Sequence, residues 1–473
     1  MGDLELNHPP SRPTPARRVA FEILLRVETQ ASYAGDLLNS PLTSALSERD
    51  AALSTELVLG TLRWQATLDF IAQRFARRGW TSLDPEVRVA LRMGLYQLRF
   101  LCGAGGRMPA RAALYETVEV VKAAGKRSAS GLVNAVLRKA AEADIARELA
   151  SLRPPSMPES EWLAVEYSHP RWLLERWVAR YGRPAALELA RANNQVPATF
   201  LRLNPTGGTE AELEEHLRHE EIEIRPGKFL KQCRAVVHGN VTRTEAYRRG
   251  EIVLQDEASQ MVAHLVDVQE GCRVLDLCAA PGNKSLQMAR WAGRAGLVVA
   301  CDIHFHRLAR LVEAPDSGNL PRVVLDGRQP LPFGNAFDRI LVDAPCSGTG
   351  TLRRHPEIKW RLTLDDVQSL AEKQLQLLGN AAAALSGGGR MVYSTCSLEE
   401  EENQGVVGKF LASHPEFRLL PLRADAARLQ PFFHPSGSSI LEGDFLETSP
   451  ARDGADGFFA AIFLKLAESE PRA

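Results

Sequence analysis

Two cysteines stand in short polar loops that follow apolar runs. Asp343-Ala344-Pro345-Cys346-Ser347-Gly348-Thr349-Gly350 follows Arg339-Ile340-Leu341-Val342, and Thr395-Cys396-Ser397 follows Arg390-Met391-Val392-Tyr393-Ser394. If both runs are strands of one parallel sheet, the thiols and Asp343 share the edge where such sheets bind ligands. Most cysteines are inert core groups, and Cys272 and Cys301 read that way. Two at the mouth of one cleft ask for a chemical role. Cytosine carbon 5 is too weak a nucleophile to take a methyl group directly, but a thiolate adding to carbon 6 makes an enamine that can. A carboxylic acid at the ring nitrogen would stabilise the adduct. A second group must then assist loss of the carbon-5 proton and expulsion of the thiol. Two cysteines and one Asp fit that list. A free thiol titrates near ~8.5, so the attacking one needs local activation.

A methyl donor has a candidate seat. The apolar run Cys272-Arg273-Val274-Leu275-Asp276-Leu277 enters Cys278-Ala279-Ala280-Pro281-Gly282-Asn283-Lys284. Small residues let a ligand approach the backbone, and the helix that starts there has free N–H groups. A P-loop is excluded, because Asn283 separates Gly282 from Lys284 and no Gly opens the loop. A dinucleotide fingerprint is absent too. A nucleoside cofactor remains, its ribose meeting an acid at the end of the next strand. Asp302, closing Leu297-Val298-Val299-Ala300-Cys301-Asp302, is that acid, and the pair points to S-adenosylmethionine.

The elements that must hold these groups can be read from periodicity. From about Ile252 to Leu464, apolar strands alternate with helices, giving a doubly wound, mostly parallel α/β sheet of Rossmann-like type. Before it, residues 158–250 read as an α+β segment, with a strand at 199–203 and a helix at 210–219. From Arg17 to about Ala150 apolar residues recur at one-face spacing, as at Val19, Ala20, Ile23, Leu24 and Val27, so this is an all-α domain. Residues 1–16 are Pro-rich and expected to be a disordered lead-in.

The chain has 473 residues, with 57 Lys and Arg against 58 Asp and Glu. That balance excludes a uniformly basic protein but not a local basic face. Between Arg74 and Lys139 there are thirteen basic and four acidic residues, and 225–249 carries seven basic residues against Glu245 alone. Solvated helix surface and phosphate-binding face both explain such counts. No apolar run approaches the ~18 residues of a membrane span. The start lacks a signal-peptide profile, and the seven scattered cysteines contain no CxxC pair. These features predict a reduced, cytoplasmic protein with no metal and no membrane contact.

Longer motifs carry a resemblance. Asp343–Gly348, Arg354-His355-Pro356-Glu357-Ile358-Lys359-Trp360 and Thr395-Cys396-Ser397 followed by Glu402-Asn403 closely resemble the RNA cytosine-5 methyltransferases. Within that family they resemble the bacterial small-subunit ribosomal RNA methyltransferase B group. Leu254-Gln255-Asp256-Glu257-Ala258-Ser259, Tyr167-Ser168-His169-Pro170 and Val133–Lys139 extend it, the last in a helical domain similar to the NusB fold. The resemblance implies an N-terminal NusB-like domain at 17–150, an α+β RNA-recognition segment at 158–250 and a methyltransferase domain at 251–467. It implies that Cys396 attacks carbon 6, that Cys346 assists release, and that Asp343 meets the cytosine edge and the cofactor region. Cys278 to Lys284 would wrap the methionine part of S-adenosylmethionine, Asp302 the ribose and Asp326 the adenine, with Lys284 also near the base. The implied partner is 16S ribosomal RNA, met before full subunit assembly by a monomeric enzyme. Two departures stand out: Asn283 replaces a usual second Gly, and the stretch from Asp302 to Asp326 is short and Pro-rich.

Other features have plainer readings. His304 and His306 are expected as exposed loop residues rather than metal ligands. The Glu399–Glu402 run is expected to favour a helix N-terminus. Arg353, Arg354, Lys359 and Arg361 around Trp360 are expected to grip RNA phosphates and stack a base. Three rivals stay open: a transfer RNA substrate, an amino-group methyltransferase, and a non-catalytic RNA-binding assembly or antitermination factor. Retention of both thiols with Asp343 weighs against the last two.

Overall fold

The computed structural model describes residues 13–76, 79–102, 108–143, 149–205, 207–309, 311 and 319–467. Most of the expected lead-in, together with Arg77, Arg78, Arg107 and residues 312–318 of the short Asp302–Asp326 stretch, lies outside them. The chain forms two compact units: residues up to Val196 with Leu352–Arg361, and Pro197–Thr351 with Leu362 onward.

The first unit is helical. Its principal helices are Pro15–Gln30, Glu48–Arg63, Gln65–Phe75, Pro85–Tyr96, Ala110–Ala123 and Ser130–Glu142, then Glu159–Glu166, Arg171–Tyr181 and Arg183–Asn193. The stripe Val19, Ala20, Ile23, Leu24 and Val27 is buried in one core with Leu57, Leu68, Leu91 and Val136. Each large aliphatic group so buried contributes about 1.5–3 kcal/mol. Pro15 and Pro85 occupy first turns, where a missing N–H costs nothing, and the Ser47 hydroxyl caps its helix by accepting from Asp50 N.

Within this unit the segment Leu352–Arg361 corrects an expectation. Lys359 is not on the surface; its Nζ donates to Arg63 O at 2.8 Å, Ser168 O at 2.6 Å and Asn194 Oδ1 at 3.0 Å. Trp360 donates to Leu62 O at 2.6 Å, and Arg361 to Val27 O, Ala31 O and Ser32 O. Arg353 is buried and its carbonyl accepts from Arg63. Lys359 and Arg361 are spent chiefly on main-chain oxygens, because the turn Tyr167-Ser168-His169 and the ends of the helices Pro15–Gln30 and Glu48–Arg63 leave carbonyls that need donors. Lys359, wholly buried with its ammonium held by three oxygens, has no surface to offer a phosphate.

Among the described residues, five of the thirteen basic residues of the Arg74–Lys139 window are held in ion pairs. Arg92 pairs with Asp69 and Glu28, Arg88 with Glu28, Lys126 with Asp84, Lys122 with Glu119 and Arg138 with Glu142. Arg74, Arg111, Arg127 and Lys139 are exposed and, among the described residues, have no ion-pair partner.

The second unit holds two sheets. Strands β1 (Phe200–Leu203), β2 (Glu223–Pro226), β3 (Cys233–His238) and β4 (Ile252–Leu254) form an antiparallel sheet in the order β2-β3-β1-β4. The helix Glu210–His219, started by a Thr209–Glu212 capping box, packs Leu213 and Leu217 against Leu201, Leu203 and Ile252. The larger sheet contains β5 (Arg273–Asp276), β6 (Leu297–Asp302), β7 (Arg322–Val324), β8 (Phe337–Asp343), β9 (Leu385–Thr395), β10 (Phe417–Leu420), β11 (Leu446–Glu447) and β12 (Phe459–Lys465). Its order is β10-β12-β9-β8-β5-β6-β7, with β11 beside β12. β5 to β9 run parallel, while β10, β11 and β12 pair antiparallel. The short β10 and β11 were not expected from sequence, since four and two residues show no clear period. The helix Leu364–Ala384 covers one face. Among the described residues no helix is long and apolar enough to cross a membrane.

The family-like motif at Leu254–Ser259 is structural within this unit. Glu257 is buried and accepts from the N–H groups of Lys228, Phe229 and Leu230. Asp256 accepts from Ala258 N and Asp456 N. Lys228 and Lys231, counted above in a second basic run, donate to main-chain oxygens at Arg452 and Pro431.

Candidate active site

Parallel pairing brings strand ends together. Asp343 ends β8 directly opposite Ser394 of β9, so the loops carrying Cys346 and Cys396 leave the sheet side by side. The two sulfurs are 3.3 Å apart. Gly350 N donates to Cys396 O at 2.9 Å, tying one loop to the other. A Cβ on Gly350 would stand 2.1 Å from Gly457 O, so only glycine permits that approach.

Asp343 is held from two sides. Its Oδ2 is 2.7 Å from Lys284 Nζ, and its Oδ1 accepts from Ser394 Oγ at 2.7 Å. Lys284 comes from the first turn of the helix Asn283–Ala292, and its ammonium also lies 5.5 Å from the centre of the Phe458 ring. The Cys346 thiol is pushed well up, first by its hydrogen bond to Cys396 and then by burial. It therefore keeps its proton and can offer it across the gap. Burial likewise raises the Cys278 thiol.

Cys346, Cys396 and Asp343 line one cavity of about 490 Å³ with Cys278, Ala280, Asp302 and Asp326. That volume suits a small-molecule cofactor. Asp302 accepts from Ala280 N at 3.2 Å and His304 N at 2.9 Å, so it braces the loop, and each oxygen keeps a further lone pair. Asp326 is clasped by Arg328 through Nε at 2.9 Å and a terminal nitrogen at 2.7 Å. Asp276 is buried below, its Oδ2 accepting from Ser285 Oγ at 2.6 Å; burial pushes its pKa up to about 7. A small-residue loop, carboxylates at two strand ends and open volume between them fit S-adenosylmethionine.

The loop itself is finer-grained than its motif. Ala279, Pro281, Gly282, Asn283 and Lys284 do not line this cavity. Ala279 is buried and its N–H bonds Cys301 O. The left-handed conformation falls on Gly282, at φ 108°, where a Cβ would meet Leu311 at 2.3 Å. Asn283, where the family usually has a second Gly, is already helical, and its amide donates to Leu254 O at 3.3 Å.

Sequence reasoning missed several lining groups. Ile303, His304 and Arg307 reach the cavity from the loop after β6, and Lys373 from the helix Leu364–Ala384. His304 and His306 are exposed as expected, and no metal-binding group of three or more ligand-type residues occurs among the described residues. The larger miss is Glu402. The run does precede the helix Gln404–Ser413 as expected, but Glu402 itself is also wholly buried. Its carboxylate accepts from Ser347 N at 2.8 Å, Ser397 Oγ at 2.5 Å, Gln374 Nε2 at 3.0 Å and Ser347 Oγ.

Comparison with known proteins agrees with this architecture. A family model described as 16S rRNA methyltransferase RsmB/F matches residues 263–464, one for the NusB family 14–142, and one for the RsmF/B-like ferredoxin-like domain 169–237. A Bacillus subtilis (strain 168) protein named "Probable ribosomal RNA small subunit methyltransferase B" is 35% identical over 96% of this chain and 99% of its own length. The Sodalis glossinidius (strain morsitans) ribosomal RNA small subunit methyltransferase B is 34% identical over 95% of this chain and 97% of its own. The crystal structure of PH0851, 24% identical, superposes with a TM-score of 0.79 over 96% of this chain and 99% of that one, and so shares the fold. A NusB-like domain, a ferredoxin-like domain and a methyltransferase domain thus follow one another along a chain that belongs to the RsmB/F family of 16S rRNA methyltransferases.

Proposed function

We propose that this enzyme methylates carbon 5 of a cytosine in 16S ribosomal RNA through a covalent adduct between Cys396 and carbon 6. The observation that carries the reading is the pair of sulfurs 3.3 Å apart, in one cavity with Asp343, Cys278 and Ala280. Amino methylation has no use for two thiols there. In this reading Cys396, as thiolate, adds to carbon 6. Asp343, with Lys284 at 2.7 Å, manages the proton at the ring nitrogen. S-adenosylmethionine is the cofactor and supplies the methyl group. The carbon-5 proton is then lost, the ring double bond re-forms, and the bond from carbon 6 to sulfur breaks toward Cys396. Cys346 assists by giving its proton to the departing sulfur and regaining one from carbon 5, which balances the step. Asp302 takes the ribose and Asp326 the adenine side, and the target base must be extruded to reach the cleft.

Residues 251–467 carry the chemistry, and 17–150 with 158–250 hold the RNA, supported by the exposed Arg74, Arg111, Arg127 and Lys139. The enzyme acts as a cytoplasmic monomer before the subunit is fully assembled. The test is bisulfite sequencing of ribosomal and transfer RNA from a deletion strain and its complemented parent. Loss of one 16S position supports the reading. Loss confined to transfer RNA overturns the substrate, and no loss in either overturns the chemistry.

A further inference from the structure

We infer that Glu402 is a positioning residue that hangs the release thiol Cys346 beside the nucleophile Cys396. This rests on the covalent reading above. Glu402 does not line the cavity and touches no reacting atom. It instead takes the residue that follows each thiol: Ser347 by N–H and hydroxyl, Ser397 by hydroxyl. Oε1 receives Ser347 N–H and Gln374 Nε2–H, and Oε2 meets both hydroxyls, which also lie 3.0 Å from each other. These partners offset part of the cost of burying the carboxylate, whose pKa burial still holds above the usual range.

The two loops depend on this carboxylate unequally. Cys346 is flanked by Pro345, whose carbonyl takes Gln374 Nε2 at 3.0 Å, and by Ser347, so both of its neighbours lead to Gln374 and Glu402. Tyr393 steadies that pair, its single hydroxyl proton shared between Gln374 Oε1 at 2.9 Å and Glu402 O at 2.5 Å. Cys396 has other anchors: strand β9, Gly350 N on its carbonyl, Thr395 Oγ1 to Asn403 Oδ1 at 2.6 Å, and Asn403 Nδ2 to Ser397 O at 2.9 Å. Loss of the Glu402 carboxylate should therefore displace Cys346 and leave Cys396 in place. Attack survives and release suffers.

The test separates the two half-reactions. Full-length Glu402→Gln is incubated with substrate RNA and S-adenosylmethionine, and covalent adduct is followed on denaturing gels over time, with Cys346→Ala as reference. We expect adduct formation within about threefold of the unaltered enzyme and adduct decay at least about tenfold slower, since a ~1 Å misplacement can cost about a hundredfold. Cofactor affinity should be unchanged by calorimetry. A purely structural role would lower formation and decay together, which overturns the inference. Unchanged decay overturns it also. If Glu402→Gln does not fold, Ser347→Ala cuts one tie and should show the same asymmetry; equal effects on both steps count against it. A trapped adduct in Cys346→Ala with ordinary decay in Glu402→Gln defeats this inference alone. No adduct in Cys346→Ala defeats the covalent reading and this inference with it.

Discussion

Replacing either sulfur asks which step it serves. Cys396→Ala should abolish both methyl transfer and RNA adduct, because no thiolate then reaches carbon 6. Cys346→Ala should still form the adduct and hold it, since it removes the thiol 3.3 Å from Cys396 to which the proposal gives the release step. Denaturing gels of each protein with RNA and cofactor check this, and trapping by Cys396→Ala instead would exchange the two roles. Asp302→Ala removes a charged acceptor worth about 1.5–3 kcal/mol, so S-adenosylmethionine should bind about ten- to a hundredfold more weakly. Because Asp302 also holds Ala280 N and His304 N, the loop loosens as well. Calorimetry showing unchanged affinity would remove the ribose role.

Among the elements, the short segment Leu352–Arg361 separates two explanations of its basic residues. Lys359→Met fills similar space but leaves three buried oxygens without donors, at Arg63, Ser168 and Asn194. Three acceptors match the three protons of an ammonium, although burial and Arg63 push its pKa down. An unsatisfied buried group costs about 1–3 kcal/mol, partly offset by relief of charge burial, so a net loss of roughly 2–4 kcal/mol is expected in melting. RNA affinity of the folded variant should be unchanged. Stable protein with weakened RNA binding would return Lys359 to the RNA surface.

For the whole molecule, charge and pH make two further expectations. Neutralising Arg74, Arg111, Arg127 and Lys139 together should weaken RNA binding and flatten its salt dependence by up to ~3 in log–log slope, at ~0.7 for each phosphate that these cations no longer neutralise. An unaltered slope in titrations at several salt concentrations would put the RNA elsewhere. A truncation at Pro158 is a poorer probe, because Leu352–Arg361 belongs to the helical unit and would lose its partners. The second expectation concerns His264, buried between Trp291 and Phe432 and next to Gln232, its pKa lowered to about 3 by burial, Arg202 and Arg428. The unfolded chain takes that proton near ~6.5, while the folded chain does not until about 3. Stability from this site is therefore full above ~6.5 and falls as pH drops below it, by roughly 1.4 kcal/mol per pH unit. His169, buried and also lowered, acts in the same direction in the first unit. Urea midpoints from pH 8 to 4.5 check this, and His264→Phe should remove one proton's worth of the slope.

Local chemistry is what the sequence determined by itself. Apolar period 3.6 marked the buried stripe of Pro15–Gln30, and apolar runs marked β5, β6, β8 and β9, because those patterns report burial on one face or two. Parallel strands put their loops on one edge, so Asp302, Asp343, Cys346 and Cys396 were legible as neighbours before any coordinate. Whether a charged side chain met water or a carbonyl was decided only by tertiary structure. Lys359 and Glu402 carry the same formal charge as the exposed Arg74 or Glu400, and nothing in their immediate sequence tells them apart. Their partners, Ser168 for Lys359 and Ser347 for Glu402, lie 191 and 55 residues away. A hydrogen bond between such distant positions exists only once the chain has packed.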